Sequence, residues 1–315
     1  MRGTTIALFL LAALIATWRF RGGNRLLILV VIWIVPFAWF WWAPATNSAD
    51  WQPPSRVAPT IVVDGDRFTV RGVRNFRWRS DTDFDERWED RSYDLSKLRT
   101  MDLFMSYWGP TLICHTFVSF GFEDGSQLVV SVEVRKKNSE TYATVPSLFR
   151  QFELVYVFAD ELDVAYLRTN VWKETVHLFR ISASERGIRG LLVEYIDRAN
   201  RMAHSPEWYN AVTNSCGVNI MQNAWTQGGG RRISWRLLFN GQWPRYAYET
   251  GALDQSQPFD TVFARSVIDE RALTVGYSPE YSRAIRAGGV ESYTVPHEYE
   301  PTHPPSQPVN TTETP

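Results

Sequence analysis

Residues 113–135 read ICHTFVSFGFEDGSQLVVSVEVR, and this stretch decides the class of fold that the sequence predicts. It covers most of two runs rich in β-branched and aromatic residues, 111–122 and 127–135, which are typical of strands. The residues between them, Glu123-Asp124-Gly125, form a turn signal, because glycine readily adopts the left-handed conformation that closes a short hairpin. The stretch therefore predicts an antiparallel β-hairpin.

The length of the turn decides which residues face each other across the hairpin. With three turn residues and Gly125 left-handed, residue 122 pairs with residue 126. The register that follows sets His115 directly opposite Glu133, and Cβ atoms in such pairs lie about 5 Å apart, so an imidazole can bond the carboxylate. A two-residue turn would place Glu133 on the other face of the sheet.

The rest of the pattern combines short strands with helices in separate parts of the chain. Weak alternation over residues 60–85 indicates strands, and Asp64-Gly65-Asp66 is interpreted as a turn because the other ligands of a calcium loop are missing. Further strands are predicted at Glu153–Phe158, Val164–Arg168 and Thr175–Arg180, helices at 184–203 and Val218–Trp225, and a helical turn opening at Ser205-Pro206-Glu207. Because sheet and helices are segregated along the chain, the predicted class is α+β.

Two apolar runs near the start of the chain, Thr5–Trp18 and Leu26–Trp42, predict membrane-spanning helices. The loop between them, residues 19–25, carries three arginines and favours the cytoplasmic side by the positive-inside bias. We therefore expect a two-helix transmembrane hairpin over residues 1–43, with the remaining chain outside the cytoplasm. A cleaved signal peptide followed by a single anchor is the alternative.

Composition also suggests the domain boundaries. Residues 44–59 are rich in Pro, Ala, Ser and Asn and predict a juxtamembrane linker. Residues 60–295 are long enough for one domain with a large core. Residues 296–315 contain many Pro and Thr residues and almost nothing apolar, so we expect this tail to be disordered.

Charge and motif content exclude several classes of function. The net charge is −1 and no basic stripe occurs, which argues against a nucleic-acid partner. The chain has only two cysteines, too few for a disulfide-rich scaffold or a four-thiolate zinc site. It contains no HExxH, no CxxC, no phosphate-binding glycine loop and no G-x-S-x-G elbow, so we expect no metal and no cofactor.

The best nucleophile candidate is Cys216, which follows the good helix-capping residues Thr213, Asn214 and Ser215. A thiol at the start of a helix is acidified by the dipole and by unpaired N–H groups, which can also bind an oxyanion. A small buried thiol is the equally open alternative. The other cysteine, Cys114, points away from the face of its neighbour in the strand and is interpreted as a core residue.

His115 and Glu133 each have a structural alternative. His115 can be a satisfied core histidine, and Glu133 can be a strand carboxylate paired with Arg135 or a neighbouring lysine. If the predicted register holds, the two can instead serve Cys216 as general base and orienting carboxylate.

Several short motifs follow one another in fixed order between about Val73 and Trp225, and together they resemble the Lnb-type N-terminal periplasmic domain family. They are Tyr93-Asp94-Leu95, Ser106-Tyr107-Trp108-Gly109, His115-Thr116-Phe117-Val118-Ser119-Phe120, Ser131-Val132-Glu133-Val134-Arg135, Asp160-Glu161, Tyr209-Asn210 and Asn214-Ser215-Cys216.

The resemblance implies a permuted papain-like fold of the NlpC type, in a periplasmic domain attached to the bacterial inner membrane. It implies Cys216, His115 and Glu133 as catalytic residues, with substrate and oxyanion support from Tyr209, Asn210, Asn214 and Ser215. Members include a lipoprotein N-acyltransferase, so the expected reaction is acyl transfer through a cysteine thioester. The expected partners are a membrane lipid and a lipoprotein N-terminus. The family usually has Asn-Asn-Cys-Thr where this chain has Asn214-Ser215-Cys216-Gly217.

Two other functions remain open at the level of sequence. One is an amidase or peptidase that cleaves cell-wall peptides with the same residues. The other is a catalytically silent module that binds an envelope protein. Apolar residues around the site would favour a lipid substrate, and blocked access to Cys216 would favour the silent module.

Overall fold

A computed structural model describes residues 42–109, 112–143, 146–226 and 239–288, together with isolated positions among the first 41 residues. The chain divides into two units, Met1–Ala45 and Thr46–Pro315. Most of the predicted transmembrane hairpin lies outside the described residues, and so does the tail at 296–315. Among the positions that are described, no helix is both long enough and apolar enough to cross a membrane.

The second unit is built on a large mixed sheet. In its described part the strand order is β1-β2-β9-β8-β7-β6-β10, with β5 also paired to β2 and with β3 and β4 forming a separate pair. Neighbouring strands are antiparallel except for β2 and β9, which are parallel. The strands are β1 (Thr60–Asp64), β2 (Arg67–Arg74), β3 (Arg77–Trp78), β4 (Phe84–Asp85), β5 (Trp88–Asp94), β6 (Leu98–Tyr107), β7 (His115–Phe122), β8 (Gln127–Arg135), β9 (Glu153–Ala159) and β10 (Thr175–Arg180).

Helices follow in the second half of the chain, so the α+β class is confirmed. Those described are α1 (Glu161–Tyr166), α2 (Glu185–His204), α3 (Cys216–Thr226), α4 (Trp243–Glu249), α5 (Phe259–Arg265), α6 (Asp269–Val275) and α7 (Tyr281–Ala284). A π-helical segment, Leu167–Val171, continues α1.

The central hairpin has the predicted turn and register. Gly125 adopts a left-handed φ of 82°. The N–H of Phe122 donates to the carbonyl of Ser126 at 3.0 Å, which closes the three-residue turn. The paired ladder runs from this turn to Phe117, which lies opposite Ser131. The same register carried onward brings the start of β7 beside Glu133.

Helices cover both faces of the sheet and bury two separate cores. On one face, the apolar stripe of α2, which includes Leu192 and Tyr195, packs with Phe120 and Tyr156. On the other face, α1, α6 and α7 pack on a cluster that includes Phe104 and Phe117. Strand alternation produces this arrangement, because successive residues of a strand such as β7 point to opposite faces.

Two local predictions are wrong. Val164–Arg168 is helical rather than extended, because the Asp160 side chain caps the segment by accepting from the N–H of Leu162 at 2.9 Å. The segment at Ser205-Pro206-Glu207 does not open a helical turn, because its backbone pairs with the sheet instead. The carbonyl of Glu207 accepts from the N–H of Leu154 at 2.9 Å.

Residues ahead of β1 already contact the domain. The N–H of Thr46 donates to Glu153, and the Asn47 amide donates to the carbonyls of Met202 and Ala203 at the end of α2. Trp51 is buried and forms a bridge with Lys137. The segment predicted as a linker therefore includes residues that are packed on the sheet.

Candidate functional site

The candidate nucleophile is the first residue of a helix, because α3 begins at Cys216. The first N–H groups of a helix have no intrahelical acceptor, and they favour negative charge nearby. The buried Asn219 holds this helix start in place. Its amide donates to the carbonyl of Ser215 and to Oδ1 of Asn214, each at 2.9 Å, and its oxygen accepts from the Tyr156 hydroxyl at 2.8 Å.

His115 lies at the first position of β7, and its ring is close enough to the Cys216 thiol to lower the pKa of that thiol. The ring Nε2 lies 2.8 Å from Oγ of Ser131 and 3.4 Å from Oε1 of Glu133. Ser131 donates its hydroxyl proton to the same Oε1 at 2.8 Å, so the hydroxyl accepts from Nε2–H. This assignment places the ring proton on Nε2 and leaves Nδ1 as the basic nitrogen of the neutral ring. The predicted set of Cys216, His115 and Glu133 is therefore brought together.

The charges of these three groups support one another. Burial raises the pKa of the Cys216 thiol, but the neighbouring His115 and Thr116 outweigh burial and bring the pKa to about 7. Burial and Arg168 oppose protonation of His115, yet Glu133 and the neighbouring Cys216 raise its pKa above the usual value. Burial also disfavours the charged form of Glu133, but the nearby His115 and Arg168 hold its pKa well below the usual range. The arrangement favours a thiolate beside an imidazolium.

Cys114 is a core residue, as predicted, and both cysteines are free thiols. Burial raises the pKa of the Cys114 thiol well above its usual value. Strand alternation does not separate it from Cys216, however, because both side chains contact the same hydrophobic cluster. Cys114 directly precedes β7, so the alternation of that strand does not extend to it.

Two neighbours of the site were missed by sequence reasoning. Ser131 lies two residues before Glu133 on the same face of β8, so the alternation of that strand could have revealed it. Arg168 reaches Glu133 with Nη2 at 3.9 Å from the π-helical segment. No sequence signal pointed to Arg168, because its segment was predicted as a strand.

The four predicted support residues shape the loop that leads into the helix. Asn210 accepts from the N–H groups of Val212 and Thr213 and donates to the carbonyl of Leu148, so it stabilises the turn. Both N–H groups of the Asn214 amide are engaged, by Glu207 and by the carbonyl of Trp208.

The other two support residues lie directly beside the nucleophile. Ser215 precedes Cys216 and accepts two hydrogen bonds from Asn219 at its carbonyl. Tyr209 is buried close enough to Cys216 and Glu133 for their charges to raise its pKa further than burial alone does.

The departure from the family pattern at Gly217 has a packing reason. A Cβ at this position would lie 3.3 Å from the Trp243 ring and 3.3 Å from Cβ of Asn240, tighter than most real contacts. Asn240 also holds the backbone of Cys114, whose N–H donates to its Oδ1 at 3.1 Å. The small residue after the nucleophile thus permits a later segment to pack against the helix start.

Several exposed apolar side chains lie within a few residues of Cys216 or His115, or next to a residue that contacts the loop before Cys216. Leu112 and Ile113 lead into His115, and Val212 lies in the loop before Cys216; all three are exposed. Phe149 is also exposed and follows the residue that Asn210 binds. Within the part of the chain that the structure describes, no group of three or more His, Cys, Asp or Glu side chains could hold a metal ion.

A comparison with family models matches residues 84–241 to the Lnb N-terminal periplasmic domain. This span is half of the 315-residue chain and contains Cys216, His115 and Glu133. No curated protein and no solved structure matches the chain. The match confirms the family that the ordered motifs suggested and indicates an envelope-related function in the periplasm. This chain belongs to the Lnb N-terminal periplasmic domain family.

Proposed function

We propose that this domain is a thiol enzyme that transfers an acyl group from a membrane lipid to an amine through a thioester on Cys216. The observation that carries the proposal is one contiguous set of interacting groups. The thiol at the start of α3 has its pKa lowered by His115, and His115 contacts Glu133 directly at 3.4 Å and through the hydroxyl of Ser131. A nucleophile, a base and an orienting carboxylate in this geometry are what covalent acyl chemistry requires.

The first half of the reaction acylates the enzyme. The Cys216 thiolate attacks the ester carbonyl of the lipid, forming a carbon–sulfur bond. The helix-start N–H groups stabilise the oxyanion that develops. His115 donates its proton to the departing alkoxide as the ester carbon–oxygen bond breaks, and the lysolipid leaves.

The second half transfers the acyl group. An amine attacks the thioester carbonyl while His115 accepts the proton from the amine nitrogen. The carbon–sulfur bond then breaks, which regenerates the Cys216 thiolate beside an imidazolium and leaves the acyl group as an amide. Water in place of the amine gives hydrolysis. Throughout, Glu133 and Ser131 keep a proton on Nε2 of the ring.

The order of the site elements supports a permuted papain-like arrangement. The histidine strand β7 comes first in the chain, the carboxylate strand β8 follows, and the cysteine helix α3 comes last. This is the order that the resemblance to NlpC-type enzymes implies. Helices on both faces of a mainly antiparallel sheet fit that architecture.

A lipid substrate is supported by the exposed apolar side chains near the site. Ile113 and Val212 are 58% and 64% exposed, although each lies within a few residues of a reacting group. Exposed apolar groups next to a site mark an apolar ligand or membrane surface. The cell-wall amidase remains the second candidate because it would use the same three residues, but it gives these side chains no role.

The test is an assay with two substrates and a set of matched variants. We expect transfer of a labelled acyl chain from phospholipid to a lipopeptide amine, and an acyl adduct on Cys216 by mass spectrometry. Cys216→Ala and His115→Ala should each abolish transfer, and the double variant should be no worse than either. Glu133→Gln and Ser131→Ala should leave reduced, measurable activity, while the control Cys114→Ala should retain turnover.

The outcomes separate the candidate functions. Full activity of His115→Ala would rule out the mechanism. Release of cell-wall peptides without acyl transfer would retain the mechanism and assign the peptide substrate. No adduct and no turnover with either substrate would favour a silent binding module.

A further inference from the structure

A second charge pair lies behind the carboxylate of the site. Arg168 has an exposed side-chain fraction of 7%, and its guanidinium lies over the Trp172 ring at 5.0 Å. Its Nη1 lies 3.1 Å from Oε2 of Glu174, and its Nη2 lies 3.9 Å from Oε1 of Glu133. One guanidinium therefore faces two carboxylates, and it binds Glu174 more closely.

A residue of β6, the strand that pairs with β7 at His115, holds Glu174 in place. Oε2 of Glu174 accepts from the hydroxyl of Ser106, and Ser106 pairs with His115 across β6 and β7. The N–H of Glu174 also donates to the carbonyl of Arg168 at 3.0 Å. Imidazole, Glu133, Arg168 and Glu174 thus form a row of groups with alternating charge.

We propose that Arg168 is a positioning residue that shares the Glu133 carboxylate with His115, and that Glu174 holds Arg168 back from that carboxylate. The inference rests on the proposed function and names two residues that regulate its base. It follows from the two distances: a guanidinium fully paired with Glu133 would compete directly with the imidazolium, whereas the bond to Glu174 weakens that competition.

The charges around His115 set the direction of each effect. Those that act on it are Cys216 from α3, Glu133 from β8 and Arg168 from the π-helical segment, with Arg74 from β2 acting on Glu133. Arg168 opposes protonation of His115, and Glu133 favours it. Removing the charge of Arg168 should therefore make His115 easier to protonate. Removing the charge of Glu174 should release Arg168 toward Glu133 and make His115 harder to protonate.

The experiment measures the pKa of His115 directly in the full chain. Histidines are labelled at 13Cε1 and titrated by NMR in a Cys216→Ala background, and the His115 signal is assigned by its loss in His115→Gln. We expect Arg168→Gln to raise the pKa of His115 and Glu174→Gln to lower it, each on the order of 0.5 to 1 unit. Arg168→Lys keeps the charge and should stay close to the parent.

Arg180→Gln is the matched control. Arg180 lies at the end of β10 and also pairs with a buried carboxylate, that of Asp102, but it has no contact with Glu133 or His115 among the described ion pairs. The control variant should leave the pKa of His115 unchanged. If Arg168 had a purely structural role, Arg168→Gln and Glu174→Gln would shift the pKa of His115 in the same direction or leave it unchanged. Either result would overturn the inference. If Arg168→Gln fails to fold, Glu174→Gln alone tests the inference. An unchanged pKa of His115 in that variant would overturn it.

The readout is independent of turnover. The Cys216→Ala background has no nucleophile, so the titration does not depend on any substrate. Opposite shifts of His115 together with no acyl transfer by the intact enzyme would refute the proposed reaction and keep the charge coupling. Acyl transfer without opposite shifts of the His115 pKa would support the proposed reaction and refute the charge coupling.

Discussion

At the scale of single residues, the two cysteines show how surroundings decide the chemistry of one side chain. Both thiols are largely removed from water, and burial alone raises a thiol pKa. Cys216 differs because His115 and Thr116 lie beside it, and these neighbours bring its pKa to about 7. For Cys114 burial is the dominant cause, and its pKa lies well above the usual value.

This contrast predicts selective alkylation. In the native protein, the rate at which iodoacetamide modifies Cys216 should rise with pH through about 7 and then level off, because the thiolate is the reactive form. Cys114 should stay almost unmodified at pH 8. Peptide mass spectrometry assigns the two sites, and His115→Ala should move the Cys216 titration to higher pH. Faster reaction of Cys114 would contradict the activated-thiol assignment.

At the scale of elements, the hairpin of β7 and β8 sets the geometry of the site. Its turn decides the register, and a slip of one residue would send Glu133 to the opposite face from His115. Gly125 determines the turn and therefore the register, because its φ of 82° is one that residues with a Cβ rarely adopt.

We therefore expect Gly125→Ala to destabilise the domain by about 1 kcal/mol, because alanine is strained in the left-handed region. A Cβ at this position would meet nothing within 4 Å, so the cost is conformational rather than steric. Gly125→Asn is the matched control and should cost less, since asparagine tolerates this conformation. Urea unfolding followed by tryptophan fluorescence measures the difference. Equal stability of the two variants would show that the turn does not require the left-handed conformation.

At the scale of the whole molecule, the family assignment concerns a periplasmic domain, and the sequence predicts an anchor that keeps it at the membrane. Tethering raises the effective concentration of a domain at the bilayer surface, which suits a lipid substrate. The predicted hairpin and its arginine-rich loop, residues 19–25, make this orientation testable.

We expect alkaline phosphatase fused after Gln52 to be active, because that enzyme folds only outside the cytoplasm and the chain beyond the second apolar run should lie there. A fusion after Arg21, inside the basic loop, should be inactive and serves as the control. Activity of a cytoplasmic reporter at Gln52 would reverse the topology.

The parts of the site that the sequence could predict are those whose signals lie within a short segment of the chain. The hairpin register depends on one turn, so the facing of His115 and Glu133 was accessible from sequence. The helix start at Cys216 depends on capping residues directly before it and was accessible too. The segment Val164–Arg168, which includes the end of α1, was predicted as a strand, because the cap at Asp160 and the buried carboxylate at Asp163 were not recognised.

The sequence by itself determined the α+β class, the central hairpin, the helix start at Cys216 and the family, because each rests on spacing within a short segment. Only the tertiary structure decided that Ser131 lies between His115 and Glu133. It also decided that Arg168 divides its charge between two carboxylates and that Gly217 makes room for Trp243. The contacts of Arg168 with the two carboxylates and of Gly217 with Trp243 join residues whose separation in the chain carries no periodic signal, and packing of the helices on the sheet brings them together.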